Sequence, residues 1–211
     1  MDNVVISIKG LTKQVKDNII LDNINIDIAR GKIVGFIGRN GSGKTMLFKT
    51  ICGLANPSSG QIFVFGKKIE HGSFPVNFGA IIENPGFIPN YTAFANLKML
   101  ASIKNIISDE EIKKSIEKVG LDPNEKKKVG KYSLGMKQRL GIAQAIMEKP
   151  ELLILDEPMN GLDKDGVVLI RNLLLELRET GVTILISSHN SEDIKVLCDK
   201  VFELDRGKLL L

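Results

Sequence analysis

Apolar and polar residues alternate near the start of the chain. The alternation runs over residues 4–8 and again over residues 24–28, with apolar side chains at Val4, Ile6, Ile8, Ile24, Ile26 and Ile28. A period of two residues buries one face of an extended segment and leaves the other in water, as in an antiparallel sheet. We therefore expect an N-terminal antiparallel β subdomain.

Three later segments are almost continuously apolar: residues 33–37, 152–155 and 183–186. Such runs are typical of strands that are buried on both faces of a sheet. The last two are separated by a helical pattern over residues 167–179, which Gly181 is placed to end. Strand, helix and strand in this order predict two parallel strands joined by a right-handed crossover.

The pattern changes to helix between residues 85 and 130. Ser108 and Glu111 have the spacing of a capping box, apolar residues follow at helical intervals, and Gly120 is placed to end the helix. This stretch predicts a helical subdomain inserted into the core.

Composition excludes several classes of protein. Hydrophobic residues make up 43% of the chain and charged residues 26%, which is ordinary for a folded protein and unlike a disordered one. The net charge of +4 comes from scattered lysines, and the short run at residues 126–128 does not indicate a nucleic-acid partner. No apolar run approaches the roughly 20 residues needed to cross a bilayer. We expect a cytosolic protein with Cys52 and Cys198 reduced, whose membrane role requires a partner.

A glycine-rich turn lies between the apolar run at residues 33–37 and a predicted helix at residues 45–54. It reads G-x-x-x-x-G-K-T, the P-loop pattern, in which backbone N–H groups and a helix N-terminus surround phosphates. Lys44 is expected to reach the β- and γ-phosphates, and Thr45 to bind Mg²⁺. The candidate nucleotide-binding residues are Gly38, Arg39, Asn40, Gly41, Ser42, Gly43, Lys44, Thr45 and Met46. The motif alone leaves ATPase, GTPase and kinase open.

Two acids end the run at residues 152–155, and a histidine ends the run at residues 183–186. Ligands of open α/β sheets bind at the carboxyl ends of strands, so these side chains and the P-loop are expected on one edge. Asp156 is predicted to hold Mg²⁺, Glu157 to act as general base or to position the attacking water, and His189 to lie near the γ-phosphate.

These motifs, in this order, resemble those of the ATP-binding cassette (ABC) family. Residues 132–139, YSLGMKQR, resemble the family's LSGGQ signature and the helix after it, residues 160–163 resemble its D-loop, and His189 resembles its switch histidine. The resemblance covers essentially the whole chain. It implies an ATPase that uses ATP and Mg²⁺, with an α/β fold of three parts. These are a P-loop NTPase core with a RecA-like parallel sheet, an N-terminal antiparallel β subdomain and an inserted α-helical subdomain. We expect one domain over residues 1–211, with a core lobe at 1–84 and 150–211 and a helical lobe at 85–149.

The signature segment is expected to act on a second subunit. Ser133 can cap a helix, and Gly135 leaves backbone N–H groups open to a phosphate. The resemblance implies that Ser133, Gly135 and Met136 meet the γ-phosphate bound by another ATPase subunit, either identical or different. Leu134 and Met136 replace a glycine and a glutamine of the family's pattern. Because the serine and the second glycine remain, we expect phosphate binding to survive.

Two further positions depart from the family. Glu83 stands where a glutamine usually contacts Mg²⁺ and relays movement to the membrane subunit, so it is a predicted metal ligand that tunes metal affinity. Val15 stands where an aromatic residue usually stacks on adenine, so we expect weak discrimination between ATP and GTP.

The segments IIENPGF, YSLGMKQRLGIA and DEPMNGLD most resemble ATPases of bacitracin-resistance and lantibiotic-immunity exporters. This implies the ATP-hydrolysing subunit of an exporter of antimicrobial peptides, bound through a membrane permease to the inner face of the cell membrane, without nucleic acid. The alternative is a soluble ABC ATPase that acts on DNA or ribosomes, but the single uninterrupted cassette favours a transporter. A GTPase or small-molecule kinase would lack the signature and the acid pair. Apolar residues at 87–91 suit either local core or the surface that receives the permease.

Overall fold

The computed structural model describes residues 3–210, which form ten strands and six helices. The strands are β1 (Val4–Val15), β2 (Asn18–Ala29), β3 (Ile33–Ile37), β4 (Ser59–Val64), β5 (Lys67–Lys68), β6 (Phe78–Ile81), β7 (Leu152–Asp156), β8 (Thr183–Ser187), β9 (Lys200–Asp205) and β10 (Lys208–Leu210). The helices are α1 (Lys44–Ile51), α2 (Ala93–Lys104), α3 (Asp109–Lys118), α4 (Leu134–Ile146), α5 (Lys164–Glu179) and α6 (Ser191–Leu197).

The first sheet is antiparallel and has the order β2-β1-β4-β5, as the alternating pattern predicts. The predicted inward residues of β2 and most of those of β1 are buried. The prediction is wrong at Val4, which is 42% exposed while its neighbour Val5 is buried. A register shift between Val4 and Ile6 explains the error, because an irregularity in pairing reverses the alternation.

The second sheet has six strands in the order β10-β9-β3-β8-β7-β6. Its strands are parallel except for β10, which pairs antiparallel with β9. The strands β7 and β8, joined through α5, are parallel neighbours with Asp156 opposite Ser187. This register brings the residues that follow both strands to the same edge, beside the loop that follows β3.

The segment between β6 and β7 is helical, as predicted. Ser108 and Glu111 form the expected capping box at the start of α3, and Gly120 has a left-handed φ of 71° just after that helix. The helices α2, α3 and α4 share a hydrophobic core with α5 and one side of the parallel sheet. A second core joins the antiparallel sheet to α1 and the other side of the parallel sheet.

Two further properties concern the whole described chain. None of the helices in residues 3–210 combines the length and apolar character that crossing a membrane requires. Cys52 and Cys198 are free thiols, and burial raises the pKa of each to about 12. Both thiols are therefore protonated and poorly reactive near neutral pH.

Candidate active site

The loop from Gly38 to Gly43 joins β3 to α1 and forms a cradle for an anion. Gly38 has a φ of 145°, and a Cβ there would lie 2.2 Å from the carbonyl oxygen of Leu204. Gly43 caps α1 with a φ of 110° and without a side-chain hydrogen bond. The first N–H groups of α1 are therefore left for a ligand, as the P-loop pattern predicts.

Two polar side chains of the cradle face inward. The Lys44 side chain donates hydrogen bonds to the carbonyl oxygens of Gly38, at 2.7 Å, and Arg39, at 3.2 Å, so its ammonium is folded over the loop. Ser42 Oγ is buried and has no hydrogen-bond partner among residues 3–210. A buried donor without a partner is rare, and a bound phosphate is a reason to keep one at this position. Met46, which the sequence also predicts to bind nucleotide, packs against the core around α1.

Thr45 and Asp156 meet as the sequence predicts. Thr45 Oγ1 donates to Asp156 Oδ2 at 2.6 Å, and Ser187 Oγ donates to Asp156 Oδ1 at 2.5 Å. Asp156 is only 7% exposed, so this pair of hydrogen bonds offsets the cost of burying its carboxylate. Within residues 3–210 no group of three or more His, Cys, Asp or Glu side chains is arranged to hold a metal ion. A hydroxyl and one carboxylate suit Mg²⁺, which usually takes its other ligands from water and substrate phosphates.

Glu157 and His189 also meet. Glu157 Oε2 lies 2.8 Å from His189 Nδ1, and Ser187 Oγ accepts a hydrogen bond of 2.9 Å from the backbone N–H of Glu157. Glu157 has a left-handed φ of 50°, which is uncommon for a residue other than glycine. Sequence reasoning missed Ser187, although its place opposite Asp156 follows from the pairing of β7 with β8.

These residues open into one cleft. Gly38, Arg39, Asn40, Glu157, Asn160 and His189 line a space of about 480 Å³. A larger cavity of about 730 Å³ lies between α3 and the end of α5, and no predicted site residue lines it. We assign the chemistry to the smaller cleft because residues of the phosphate cradle, Glu157 and His189 line it together.

The signature residues lie outside that cleft. Ser133 caps α4 by accepting a hydrogen bond from Met136 N at 3.2 Å. Gly135 packs so closely on the chain at Gly161 that a Cβ would lie 2.6 Å from its carbonyl oxygen. Leu134, which replaces the family's glycine, is 62% exposed beside Gly161. The start of α4 thus packs against the segment at residues 160–163 of its own chain, and Ser133 is exposed.

Glu83 has a partner that sequence reasoning missed. Its Oε1 lies 2.6 Å from Nζ of Lys49, which follows Thr45 by one turn of α1. The Glu83 side chain is 61% exposed, and its backbone has a left-handed φ of 61°. The i, i+4 spacing of Thr45 and Lys49 is the signal that places Lys49 on the same face of the helix.

Two other predicted positions lie at the surface. Val15 ends β1 opposite Asn18 and is 43% exposed. In the apolar segment at 87–91, Phe87 packs against the core, whereas Ile88 and Tyr91 are exposed. Local core is therefore the correct interpretation for Phe87 alone.

The family's sequence model, described as ABC transporter, matches residues 21–160. The chain is 48% identical over 206 residues to the ABC transporter ATP-binding protein YybJ of Bacillus subtilis, covering 97% of this chain and 94% of that protein. It is 44% identical to the bacitracin transport ATP-binding protein BcrA of Enterococcus faecalis, covering 98% of this chain and 68% of that protein. It is 37% identical to the lantibiotic transport ATP-binding protein SrtF of Streptococcus pyogenes, covering 98% of this chain and 90% of that protein. None of these names refers to DNA or ribosomes.

Solved structures share the fold. A dimeric ATP-binding cassette in a post-hydrolysis state with ADP and Pi superposes with a TM-score of 0.88 at 23% identity, covering 98% of this chain and 97% of that one. The protein cbiO1 of Clostridium perfringens, part of the ABC transporter complex cbiONQ, superposes with a TM-score of 0.84 at 28% identity. The match covers 99% of this chain and 88% of that one. The predicted α/β cassette fold is confirmed. The chain belongs to the ABC transporter family, as one of its ATP-binding and ATP-hydrolysing subunits.

Proposed function

We propose that this chain hydrolyses ATP as one of two ATPase subunits that drive a permease exporting peptide antibiotics. The observation that carries the proposal is the meeting of two pairs at the cradle. Thr45 with Asp156 forms the first pair and Glu157 with His189 the second. The first pair suits a metal-bound phosphate, and the second suits the attack of water on it.

The cradle holds the substrate and the charge that develops on it. The N–H groups of residues 38–45 and the Lys44 ammonium bind the phosphates of ATP. Thr45 and Asp156 are the residues that would hold Mg²⁺, which when bound supplies positive charge to the phosphate oxygens. Lys44 exchanges its carbonyl partners on the cradle for phosphate oxygens, which accept stronger, charge-assisted hydrogen bonds.

Hydrolysis is a single displacement at the γ-phosphorus. A water oxygen forms the new bond, the bond to the β,γ-bridging oxygen breaks, and ADP departs with the electron pair. Glu157 orients the water and accepts its proton as the bond forms. His189 contacts the Glu157 carboxylate at 2.8 Å, which fixes the orientation of that carboxylate, and its exposed side chain lines the cleft.

The second subunit completes the site. Ser133, Gly135 and Met136 lie outside the cleft of their own chain, on a capped helix end with Ser133 at the surface. A helix N-terminus favours phosphate, so each signature segment closes on the γ-phosphate of the other subunit. Two ATP molecules then join two subunits, and hydrolysis separates them.

The cargo and the membrane partner are proposed from the relatives. BcrA is named for bacitracin transport and SrtF for lantibiotic transport, and both match almost all of this chain. We assign this chain a permease partner and a place on the inner face of the membrane. The exposed side chains of Ile88 and Tyr91 contribute to the surface that the permease covers.

The proposal is tested with Glu157→Gln. Without its general base we expect the variant to bind ATP but to lose about 10²- to 10⁴-fold in turnover. ATP, but not ADP, should then shift the variant to a dimer in size-exclusion chromatography with light scattering. Glu117→Gln, an exposed acid of α3, is the matched control and should keep wild-type turnover.

Normal turnover of Glu157→Gln would remove Glu157 from the mechanism, and a strictly monomeric ATP complex would contradict the shared site. The cargo is tested separately in cells that carry the permease. Glu157→Gln should abolish resistance to bacitracin or to a lantibiotic, whereas unchanged resistance to both would refute the assigned cargo.

A further inference from the structure

A largely buried ion pair is linked by hydrogen bonds to the loop that carries His189. Arg171 of α5 donates to Asp193 of α6 through Nε, at 2.9 Å, and through Nη2, at 2.6 Å, with both bonds to Oδ1. The Arg171 side chain is 12% exposed and that of Asp193 only 2%. Arg171 Nη1 also lies 3.2 Å from the exposed carboxylate of Glu192.

The same aspartate holds the loop that carries His189. Ser188 Oγ donates to Asp193 Oδ2 at 3.1 Å, and the backbone N–H of Asn190 donates to Ser188 Oγ at 3.0 Å. The residues immediately before and after His189 are therefore joined to one carboxylate. Asp193 in turn has both oxygens occupied, one by Arg171 and one by Ser188.

Helix α5 connects this cluster to the signature segment. It begins after Asp163, whose side chain caps it, and Arg171 follows eight residues later, about 12 Å along the axis. Gly161 and Leu162, within the segment 160–163 just before α5, are the residues on which Gly135 packs. Helix α5 thus links the residues on which the signature segment packs to the ion pair that holds the His189 loop.

We infer that Arg171 is a positioning residue for ATP hydrolysis. Through Asp193 and Ser188 it holds the His189 loop so that the imidazole stays in contact with Glu157. It also ties the position of that loop to α5, and hence to residues 160–163. The inference rests on the proposed function, since it requires Glu157 and His189 to act in hydrolysis.

The contacts favour positioning over stability alone. Another salt bridge on the same helix, from Arg178 to Glu179 and Asp199, is partly exposed and involves no residue of the His189 loop. Burying a guanidinium and a carboxylate together carries a large desolvation cost. In this pair the carboxylate also accepts a hydrogen bond from the loop of His189. An error of about 1 Å in the placement of a reacting group can reduce turnover by about 10²-fold.

The test compares Arg171→Met with Arg178→Met, its control on the same helix. We expect Arg171→Met to lower kcat by about tenfold or more while changing KM for ATP by less than about twofold, because the cradle is untouched. Arg171→Lys should recover part of the loss, since it restores charge but not the paired hydrogen bonds. Arg178→Met should leave kcat unchanged.

A spectroscopic readout separates positioning from activity. The chain has two histidines, so the imidazole Hε1 signals of His71 and His189 can be assigned with one His189→Ala variant. In Arg171→Met the His189 signal should move or broaden while that of His71 stays in place. Ser188→Ala cuts the link to the loop but keeps the Arg171–Asp193 pair, and it should move the same signal even if Arg171→Met folds poorly.

The outcomes distinguish the inference from the proposed function. If His189→Ala hydrolyses ATP normally, the proposed role of His189 fails and the inference fails with it. If His189→Ala is slow, yet folded Arg171→Met and Ser188→Ala keep kcat and an unmoved His189 signal, only the inference is overturned.

Discussion

At the scale of single residues, the acid at position 83 changes the charge beside the nucleotide cradle. Lys49 neutralises that acid in the structure, with Nζ 2.6 Å from Oε1. The pair is largely solvent-exposed on the Glu83 side, so the carboxylate can exchange this partner for a cation at small cost. We therefore propose that Lys49 and a bound metal compete for Glu83.

Glu83→Gln should weaken the attraction for the metal. We expect the Mg²⁺ concentration for half-maximal ATPase activity to rise by roughly threefold, which matches the modest energy of an exposed ion pair. Lys49→Met should shift it in the opposite direction, because it leaves the carboxylate free. Titrations with Mg²⁺ and Mn²⁺ measure both shifts, and superimposable curves for wild type and Glu83→Gln would rule out a role in metal affinity.

The family resemblance implies that Val15 lies at the base of the nucleotide, and we propose that the base finds no aromatic ring to stack on there. Because such a contact is worth about 0.5–1.5 kcal/mol, we expect ATP and GTP to be hydrolysed with kcat/KM values within about tenfold of each other. Val15→Tyr should lower KM for ATP, whereas Val4→Tyr, at an exposed valine of the same strand, should leave it unchanged. A strong preference of the wild type for ATP would show that other residues recognise the base.

At the scale of elements, hydrophobic periodicity predicted the strands β1, β2, β3, β7 and β8 and the helices α1, α3 and α5, and local hydrogen bonds decided where these elements end. The prediction placed the start of α5 at residue 167, but the helix begins three residues earlier, at Lys164, because Asp163 caps it. Conversely α1 ends at Ile51 rather than at residue 54, since Gly53 adopts a left-handed φ of 75°. A pattern of apolar residues carries no information about such caps.

The capping box of α3 gives a pH-dependent contribution to stability. The hydrogen bond from Lys149, followed by that from the backbone of Ser108, lowers the pKa of Glu111 from 4.5 to about 2. A carboxylate with a lowered pKa in the folded state stabilises the protein fully above pH 4.5, and the contribution is lost as pH falls toward 2. Glu111→Gln should therefore reduce the free energy of unfolding at pH 7, with a difference from wild type that shrinks below pH 4.5.

Urea unfolding at pH 7, 5, 4 and 3 measures this difference. Glu110→Gln is the control, since this acid lies in the same first turn but makes only a long contact of 3.8 Å with Lys113. An equal difference at every pH would show that the charge of Glu111 contributes nothing.

At the scale of the whole molecule, the sequence predicts which side chains meet because the order of parallel strands fixes one edge of the sheet. Asp156 ends β7, Glu157 follows it, and His189 follows the neighbouring strand β8, so the three lie together beside the loop after β3. Lys49, Ser187 and Arg171 were missed because their partners depend on side-chain directions and on packing between α5 and α6. The chain also presents Ser133 outside its own cleft, which agrees with the proposed assembly of two subunits.

Complementation between two inactive variants tests that assembly. Lys44→Ala destroys the cradle but leaves the signature intact, whereas Ser133→Arg blocks the signature with a bulky side chain and leaves the cradle intact. Each variant alone should be inactive, since every site in its dimer combines one damaged half with one intact half. In a mixed dimer one site is damaged twice and the other is whole, because subunits related by twofold symmetry exchange the same surfaces. An equimolar mixture in which half of the dimers are mixed should therefore recover up to about a quarter of wild-type ATPase activity.

Thermal unfolding of each variant checks that both are folded. A mixture that stays inactive although mixed dimers are detected would show that the two halves belong to one chain.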